Sequence, residues 1–518
     1  MVRIGLLTTP EGHYIGVEFP YNKDMLNRIY KFPDRHWDSV NRRWIISIIH
    51  LPTVKSLFPE AELSDGIRSY HSDQHQEAEK KREEFNELIS GFDLEKPLPD
   101  GRILFKHQRE AVMRLLHNRR QILALDMGLG KTLVALMAAK IIDLSTGYRT
   151  VIICPVSLKE NWQREAESID FPRGDFSIHS WSKLPEPLST PYILIADEAH
   201  YAQAGTKSQR GKAFLELANN ARCYASYCLT GTPMKNGRPI NLLPLLIATR
   251  HKLSRDKRYF HIRYCDAKKT TFSRWDTNGA KNLDELNRMV QDVMIRKTKD
   301  ECLDLPPKIR VLRQAELSPK SKALYETTLS DLKAQFKAKV QDGEISPAEA
   351  LVMLNHLRHA GSVGKAETAV ELAQEVVEEG GQVVIFTEYL KSANMIHDDL
   401  NRMGIRAELL TGSTTDRQGV VDRFQSGRTK VFVGTIKAGG VGLTLTKAQT
   451  VLLVDRPWTP GDTEQAEDRC HRIGQAGSVT AIWLQYGAMD EKIDKLLQEK
   501  RDNISIVLQG TIAKELFA

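Results

Sequence analysis

The chain has 518 residues, 41% hydrophobic and 27% charged, which is apolar material for several packed cores and a length that predicts about three domains. Lys and Arg number 73 against 66 Asp and Glu, a net charge of +7 and a pI near 8.9, a mild excess that suits an anionic partner without identifying one. No stretch approaches ~20 uninterrupted apolar residues and no secretory pattern opens the sequence, so a cytoplasmic or nuclear protein is expected. The six cysteines, at 154, 223, 228, 265, 302 and 470, form no zinc-type pair of pairs and read as reduced, buried thiols.

Residues 1–62 carry the alternating run Tyr14-Ile15-Gly16-Val17-Glu18-Phe19, then a short helix expected around Asp24 to Tyr30. Arg35-His36-Trp37-Asp38 and Arg42-Arg43-Trp44-Ile45-Ile46 follow. That order predicts a miniature α+β module. Its aromatic and basic mixture suits stacking on nucleic acid, although Trp44, heading an isoleucine run, reads better as core. Residues 63–98 form a polar connector. Its run Glu79-Lys80-Lys81-Arg82-Glu83-Glu84 mixes signs at helical spacing and predicts a solvated helix without chemistry.

From residue 99 the pattern changes. Ile122-Leu123-Ala124-Leu125 reads as a buried strand and Leu133-Val134-Ala135-Leu136-Met137-Ala138 as a helix, with Asp126-Met127-Gly128-Leu129-Gly130-Lys131-Thr132 between them. Strand, tight turn and helix are the context of a phosphate loop. Gly128 and Gly130 let backbone N–H groups close around phosphate oxygens at the positive end of the helix. Lys131 would reach the outer phosphates and the Thr132 hydroxyl would hold magnesium. Leu125 stands where the general pattern has glycine, so the loop alone is an imperfect match. Further on, the strand Tyr192-Ile193-Leu194-Ile195-Ala196 runs into Asp197-Glu198-Ala199-His200. Two adjacent carboxylates repel unless a cation intervenes or their roles differ. Asp197 is expected to bind magnesium and Glu198 to polarise an attacking water. Loop and box together predict hydrolysis of a nucleoside triphosphate. Strands at Val151-Ile152-Ile153-Cys154 and from Ala225 to Thr230 complete a parallel α/β sheet, which binds its ligands at the carboxyl ends of the strands.

Residues 248–360 lack the β/α rhythm. Ser346-Pro347-Ala348-Glu349 is a capping box with proline at the first helical position, so a helix begins there. The lysines of Lys333-Ala334-Gln335-Phe336-Lys337-Ala338-Lys339 fit a phosphate contact and a solvated helix surface equally well. Residues 361–518 return to buried strands: Val383–Phe386, Val431–Val433, Val451–Val454 and Ala481–Leu484. No phosphate loop recurs, so this part completes a site rather than owning one.

Leu229-Thr230-Gly231-Thr232-Pro233 and Gln465-Ala466-Glu467-Asp468-Arg469-Cys470-His471-Arg472-Ile473-Gly474-Gln475 resemble the late motifs of Swi/Snf-type helicase-like ATPases of helicase superfamily two. The resemblance covers roughly residues 99–505. It implies an α/β fold of two RecA-like lobes, each a parallel sheet flanked by helices. The first would span 99–247 and the second 361–518, with helical protrusions and the crossing at 248–360. It also implies a DNA-stimulated ATPase that uses ATP and Mg2+ and moves along duplex DNA, usually without unwinding it. Phe105-Lys106-His107-Gln108 is similar to the family's adenine-recognition segment. Gln108 is the residue expected to read the adenine edge, since an amide both donates and accepts; His107 stands where the family more often has another aromatic. Gly439-Gly440-Val441-Gly442-Leu443-Thr444 resembles the motif that touches DNA and nucleotide, which adds Gly442, with Gln465, to the ATP-binding set.

Arg469 and Arg472, three residues apart on an expected helix, would project from one face. An arginine delivered across a cleft stabilises the transferring phosphate by roughly 10³–10⁵ in rate, so hydrolysis would require the lobes to close. DNA contacts are expected near Pro155, Ser157, Lys159, Lys235, Asn236, Thr387, Thr411 and Thr435, gripping phosphates without reading bases. Tyr21, Trp37-Asp38 and Arg43-Trp44 resemble, over some forty residues, the HARP domain that precedes the motor in annealing helicases. The expected function is therefore an ATP-driven translocase on duplex or branched DNA that anneals strands or remodels forks. A strand-separating helicase or nucleosome remodeller is the alternative, though no histone-reading module is recognisable. A DNA clamp gated by ATP without turnover is a third, against which Lys131, Asp197, Glu198 and Arg472 are all present.

Overall fold

Most of the central strands form on short β-branched and apolar runs; the computed structural model describes residues 1–499 apart from 10–11, 33, 173–175, 235–236, 270–274, 304, 343–345, 440–442 and 458–459. The chain divides into two units, Met1–Asp126 with Gly130–Lys297, and Met127–Leu129 with Thr298–Ala518.

The first unit opens with a five-stranded sheet ordered β3-β4-β2-β1-β5, built from β1 (Arg3–Thr9), β2 (Gly12–Glu18), β3 (His36–Asp38), β4 (Arg43–Ser47) and β5 (Glu62–Leu63). β1 and β2 pair antiparallel from Arg3↔Glu18 to Thr9↔Gly12, while the short β5 adds to β1 in parallel. Alternation sends Ile4, Ile15, Val17 and Ile46 inward, where they meet Ile29 and Val54 of the helices Lys23–Ile29 and Leu51–Leu57. The Asn22 side chain caps the first helix by accepting from the N–H groups of Asp24 and Met25. Trp44 packs against this core, as expected, whereas Trp37 is 46% exposed. The charged connector is one 25-residue helix, Asp65–Ile89, capped by Ser64.

The main sheet of this unit has the order β13-β6-β10-β9-β7-β8, with every pair parallel. Its strands are β6 (Arg120–Leu125), β7 (Arg149–Cys154), β8 (Phe176–Ser180), β9 (Tyr192–Asp197), β10 (Cys223–Leu229) and β13 (Met294–Lys297); a two-residue pairing of β11 (Lys268–Lys269) with β12 (Trp275–Asp276) lies outside it. β13 comes from the region read as helical. At four residues it is too short to show a period, yet Ile295 is buried, Arg296 points out, and Ile295 pairs with Leu123.

The second unit is a six-stranded parallel sheet ordered β14-β19-β18-β15-β17-β16. The strands are β14 (Lys308–Gln314), β15 (Val383–Thr387), β16 (Ala407–Leu410), β17 (Val431–Thr435), β18 (Thr450–Leu453) and β19 (Val479–Gln485). β14 also falls in the region read as helical; Ile309 and Val311 alternate with Lys308 and Arg310, but the strand is exposed along nearly all its length and is not the continuous apolar run of a buried parallel strand. The helices Pro319–Asp342 and Pro347–Glu378 pack together through Tyr325, Leu332, Phe336, Met353, Leu354 and Leu357. The second starts at the expected capping box: Ser346 Oγ accepts from the Glu349 N–H at 3.3 Å, and Glu349 Oε2 accepts from the Ser346 N–H at 3.2 Å. The α/β class with two parallel sheets flanked by helices is thus the one the sequence implies. Among the described residues no helix is long and apolar enough to cross a membrane, and all six cysteines are unbridged.

Candidate active site

The phosphate-loop candidate begins where β6 ends and gives way to the helix Lys131–Thr146. Gly128 and Gly130 have φ of +86° and +82°, a region L side chains avoid, and the Gln108 amide lies directly against Gly130 where a Cβ would stand. The positive φ favours glycine at both positions, and at Gly130 a side chain would also displace the Gln108 amide. Lys131 Nζ donates to the carbonyl oxygens of Leu125 at 2.7 Å and Asp126 at 3.2 Å, folding back over the loop. Arg296, from β13, pairs with Asp126 at 2.9 Å.

Gln108 is buried on the first turn of the helix Lys106–Asn118, and its Oε1 accepts from the Phe105 N–H at 3.0 Å. The amide is thus engaged in capping its own helix, with its Nε2 toward Gly130. The His107 ring stacks on Phe105 at 5.8 Å.

The carboxylate box sits at the end of β9, on the other side of β10 from the loop strand. Asp197 is buried and three N–H groups hold it: Trp162 Nε1 donates to Oδ2 at 2.9 Å, the Glu198 N–H to Oδ1 at 2.9 Å, and Trp181 Nε1 to the main-chain oxygen at 2.7 Å. Burial, and then the charge of Glu198, push the Asp197 carboxyl up to about 6, partly offset by the Trp162 hydrogen bond and Lys131. Glu198 adopts φ +50° and ψ +47°, a left-handed conformation that breaks the strand's alternation. Its Oε2 lies 3.2 Å from His200 Nδ1.

These residues fit a magnesium ion. The donors are hard oxygens, and an anion that burial disfavours gains most from a cation beside it. Among the described residues no group of three His, Cys, Asp or Glu could hold a metal, so the chain would supply only Thr132 and Asp197. Phosphate oxygens and water would complete the shell, as Mg2+ generally prefers.

Of the expected DNA contacts in this unit, Pro155, Ser157 and Lys159 cluster between β7 and the helix Lys159–Ser168, with Ser157 exposed. Lys235 and Asn236 lie outside the described residues, as does Gly442 of the second unit. On the opening module, Tyr21, Tyr30 and Trp37 are exposed, and the Arg35 guanidinium lies 4.8 Å over the Tyr30 ring.

In the second unit Arg469 and Arg472 are not on a helix. The helix Pro460–Glu467 stops short of them, and both occupy the turn that follows. The reason lies in the two acids between. Glu467 is fully buried and accepts from Arg310 at 2.7 Å and Trp483 Nε1 at 2.9 Å, while Asp468 pairs with Lys299 at 2.8 Å and Lys308 at 3.0 Å. These anchors draw the chain toward β14. Arg469 is buried and its carbonyl accepts from the Leu445 N–H; Arg472 donates to the Leu443 carbonyl at 3.0 Å. His471 Nε2 reaches the Pro306 carbonyl at 2.8 Å, and Gln475 donates to the carbonyls of Ala448 and Cys470. Gln465 is half-buried on the preceding helix.

Thr387, Thr411 and Thr435 gather at the carboxyl ends of the adjacent strands β15, β16 and β17. Their hydroxyls are not equally available. Thr387 is fully buried and donates to Asp455 at 2.6 Å, and Thr411 is buried with its hydroxyl 3.0 Å from Ser413 Oγ, so neither fits a hydroxyl-to-phosphate contact; Thr435 is half-buried. Asp455 belongs to a buried polar group that sequence reasoning missed, with Lys365, Ser362 and Asp490. Trp162 was missed as well. A lone tryptophan on an otherwise polar helix was the available signal.

A family model described as the SNF2-related domain matches residues 107–169 and 184–362, and one described as the helicase conserved C-terminal domain matches residues 364–474. The SWI/SNF-related matrix-associated actin-dependent regulator of chromatin subfamily A-like protein 1 of Xenopus tropicalis is 30% identical, over 81% of this chain and 46% of that protein. The Mus musculus DNA annealing helicase and endonuclease ZRANB3 is 28% identical, over 77% of this chain and 40% of that protein. The chain thus spans less than half the length of these two relatives. A solved structure, the Sulfolobus solfataricus SWI2/SNF2 ATPase core in complex with dsDNA, aligns at 22% identity over 82% of this chain and 97% of the other, with a TM-score of 0.36. With both domains matched in succession, the chain belongs to the Swi/Snf-type, SNF2-related family of helicase-like ATPases.

Proposed function

We propose that the chain is a DNA-stimulated ATP hydrolase that translocates on duplex DNA and acts at branched DNA, annealing strands or remodelling forks, in the cytoplasm or nucleus. The observation that carries the chemistry is the pairing, within one sheet, of the glycine loop and Lys131 after β6 with the buried Asp197 at the end of β9. Gly128, Gly130 and the start of the following helix would cradle the phosphates of ATP, and Lys131 would exchange its carbonyl partners for phosphate oxygens. Thr132 and Asp197 would hold magnesium, which supplies charge neutralisation at the β- and γ-phosphates when bound. Glu198, turned out of the strand by its left-handed backbone, would orient the attacking water. Arg469 or Arg472 would stabilise the transferring phosphate, and Gln108, Gln465 and Gly442 would complete the nucleotide contacts. Phosphates of DNA would be gripped near Pro155, Ser157, Lys159, Lys235, Asn236 and Thr435, and by main-chain groups rather than hydroxyls near Thr387 and Thr411.

The module at residues 1–62 carries the finer reading. It exposes Tyr21, Tyr30 and Trp37, with Arg35 over the Tyr30 ring, and also carries Arg42, a composition for stacking on unpaired bases at a junction. The name of the mouse relative, an annealing helicase, supports that direction. The test is steady-state ATPase with single-stranded, duplex and forked DNA, together with strand annealing. Duplex and forked DNA should both accelerate hydrolysis, and ATP should drive annealing. Unwinding of a duplex would favour a helicase, and nucleotide binding without turnover a clamp. No response to any DNA would refute the motor reading.

A further inference from the structure

Asp197 owes part of its orientation to residues outside the loop and the box. Its two carboxylate oxygens are each held by one N–H, Oδ2 by the Trp162 indole and Oδ1 by the Glu198 backbone, and its main-chain oxygen is held by the Trp181 indole. Each carboxylate oxygen keeps a lone pair, so the group is aimed without being used up. Trp162 is fully buried, as is Ala166 one turn further along its helix. It lies on the first turn of the helix Lys159–Ser168, three residues after Lys159. The 3-10 turn Val156–Leu158 leads directly into that helix. A buried tryptophan generally finds an acceptor for its N–H. Here the acceptor is an ionisable carboxylate at the candidate metal site rather than a backbone carbonyl, and such a bond is both stronger and directional.

We propose that Trp162 is a positioning residue for the phosphate chemistry: its indole N–H fixes the Asp197 carboxylate for magnesium and ties it, through one helical turn, to the segment Pro155–Lys159. Displacement of that segment on contact with a DNA phosphate therefore moves the side chain that aims the metal ligand. The inference rests on reading Asp197 as a magnesium ligand. Trp181, whose indole bonds only the main-chain oxygen of the same residue, is the built-in comparison.

The experiment measures binding of a fluorescent ATP analogue to the full chain, with Mg2+ and with EDTA, for wild type, Trp162→Phe and Trp181→Phe. Phenylalanine keeps an aromatic ring in the site and removes the donor; a thermal melt establishes folding, and Trp162→Met, an adaptable filler without a donor, carries the same test if the first variant does not fold. Loss of a residue that orients a metal ligand costs about 10–100-fold in metal affinity or activity. The magnesium-dependent gain in nucleotide affinity should accordingly fall about 10-fold or more in Trp162→Phe, with binding in EDTA unchanged within about twofold and duplex-stimulated kcat lowered. Trp181→Phe should keep the gain. A wild-type gain preserved in Trp162→Phe, or lost equally in Trp181→Phe, overturns the proposal alone. A wild-type chain without any magnesium gain overturns the reading of Asp197, and this proposal with it.

Discussion

Lys365→Met removes the largest countercharge of a buried carboxylate. The lysine is 1% exposed, 3.3 Å from Asp455 Oδ1 and 2.6 Å from Asp490 Oδ2. Burial opposes ionisation of Asp455. The charge of Lys365 and the hydroxyls of Ser362 and Thr387, each at 2.6 Å, nevertheless hold its carboxyl below the usual value of 3.8. Methionine fills the volume but leaves that carboxylate short of its main countercharge. Breaking a buried pair from one side costs about 3–5 kcal/mol. The assay is urea denaturation of the full chain at pH 7.5 and pH 5, following the transition of the second unit. In wild type a lowered folded pKa means that Asp455 stabilises fully above the unfolded value and loses this only as pH falls through the folded one. Between pH 5 and 7.5 its contribution is therefore flat. In the variant the largest offset to burial is gone and only the two hydroxyls and the charge of Arg358 remain, so the folded value rises; once it passes the unfolded one, stability is lost as pH rises. The gap between the two proteins should widen from pH 5 to pH 7.5, and Asp455→Asn should recover part of it. A gap below about 1 kcal/mol, or one equal at both pH values, would refute the reasoning.

Lys131→Ala should weaken nucleotide binding about 10-fold or more. Glu198→Gln should bind nucleotide nearly as wild type while kcat falls by about 10² or more, and normal DNA-stimulated turnover in that variant sinks its assignment as the water-orienting base. Arg472→Ala should lower hydrolysis by roughly 10³ with little change in binding, and Arg469→Ala should behave similarly; near-normal turnover in both single variants would remove them from the reaction. Trp37→Ala alters an exposed ring, so duplex-stimulated ATPase should persist within about twofold. Binding to forked DNA should weaken by about 1–3 kcal/mol, as loss of one base-stacking ring would, and equal fork binding would reduce the opening module to a structural cap.

The strands that carry the site were legible because each is a continuous buried run, and a parallel sheet covered on both faces needs such runs. Ile122–Leu125, Tyr192–Ala196 and Val383–Phe386 announce themselves in this way. β13 and β14 did not. The first is four residues long, and the second mixes charged with apolar residues and is exposed along nearly all its length, so neither is a continuous buried run. The arginine motif was legible as a sequence and not as a shape. Its spacing suits a helix, but long-range bonds from Glu467 to Arg310 and from Asp468 to Lys299 end the helix first, and no local rule anticipates partners some 160 residues away in the chain. The same holds for Trp162, whose meaning depends on a carboxylate 35 residues further on.

The left-handed backbone of Glu198 has a consequence for how such a motor could be lost. A non-glycine residue in that conformation costs about 1 kcal/mol or more, and asparagine or glycine would occupy it with less strain. Beside it stands a carboxylate that burial would prefer to see neutral. Stability therefore favours chains that have discarded the acidic pair, and a copy released from the need to turn over nucleotide could drift into a better-folded, inert protein by single substitutions. Keeping the machine alive means holding two neighbouring positions against that slope.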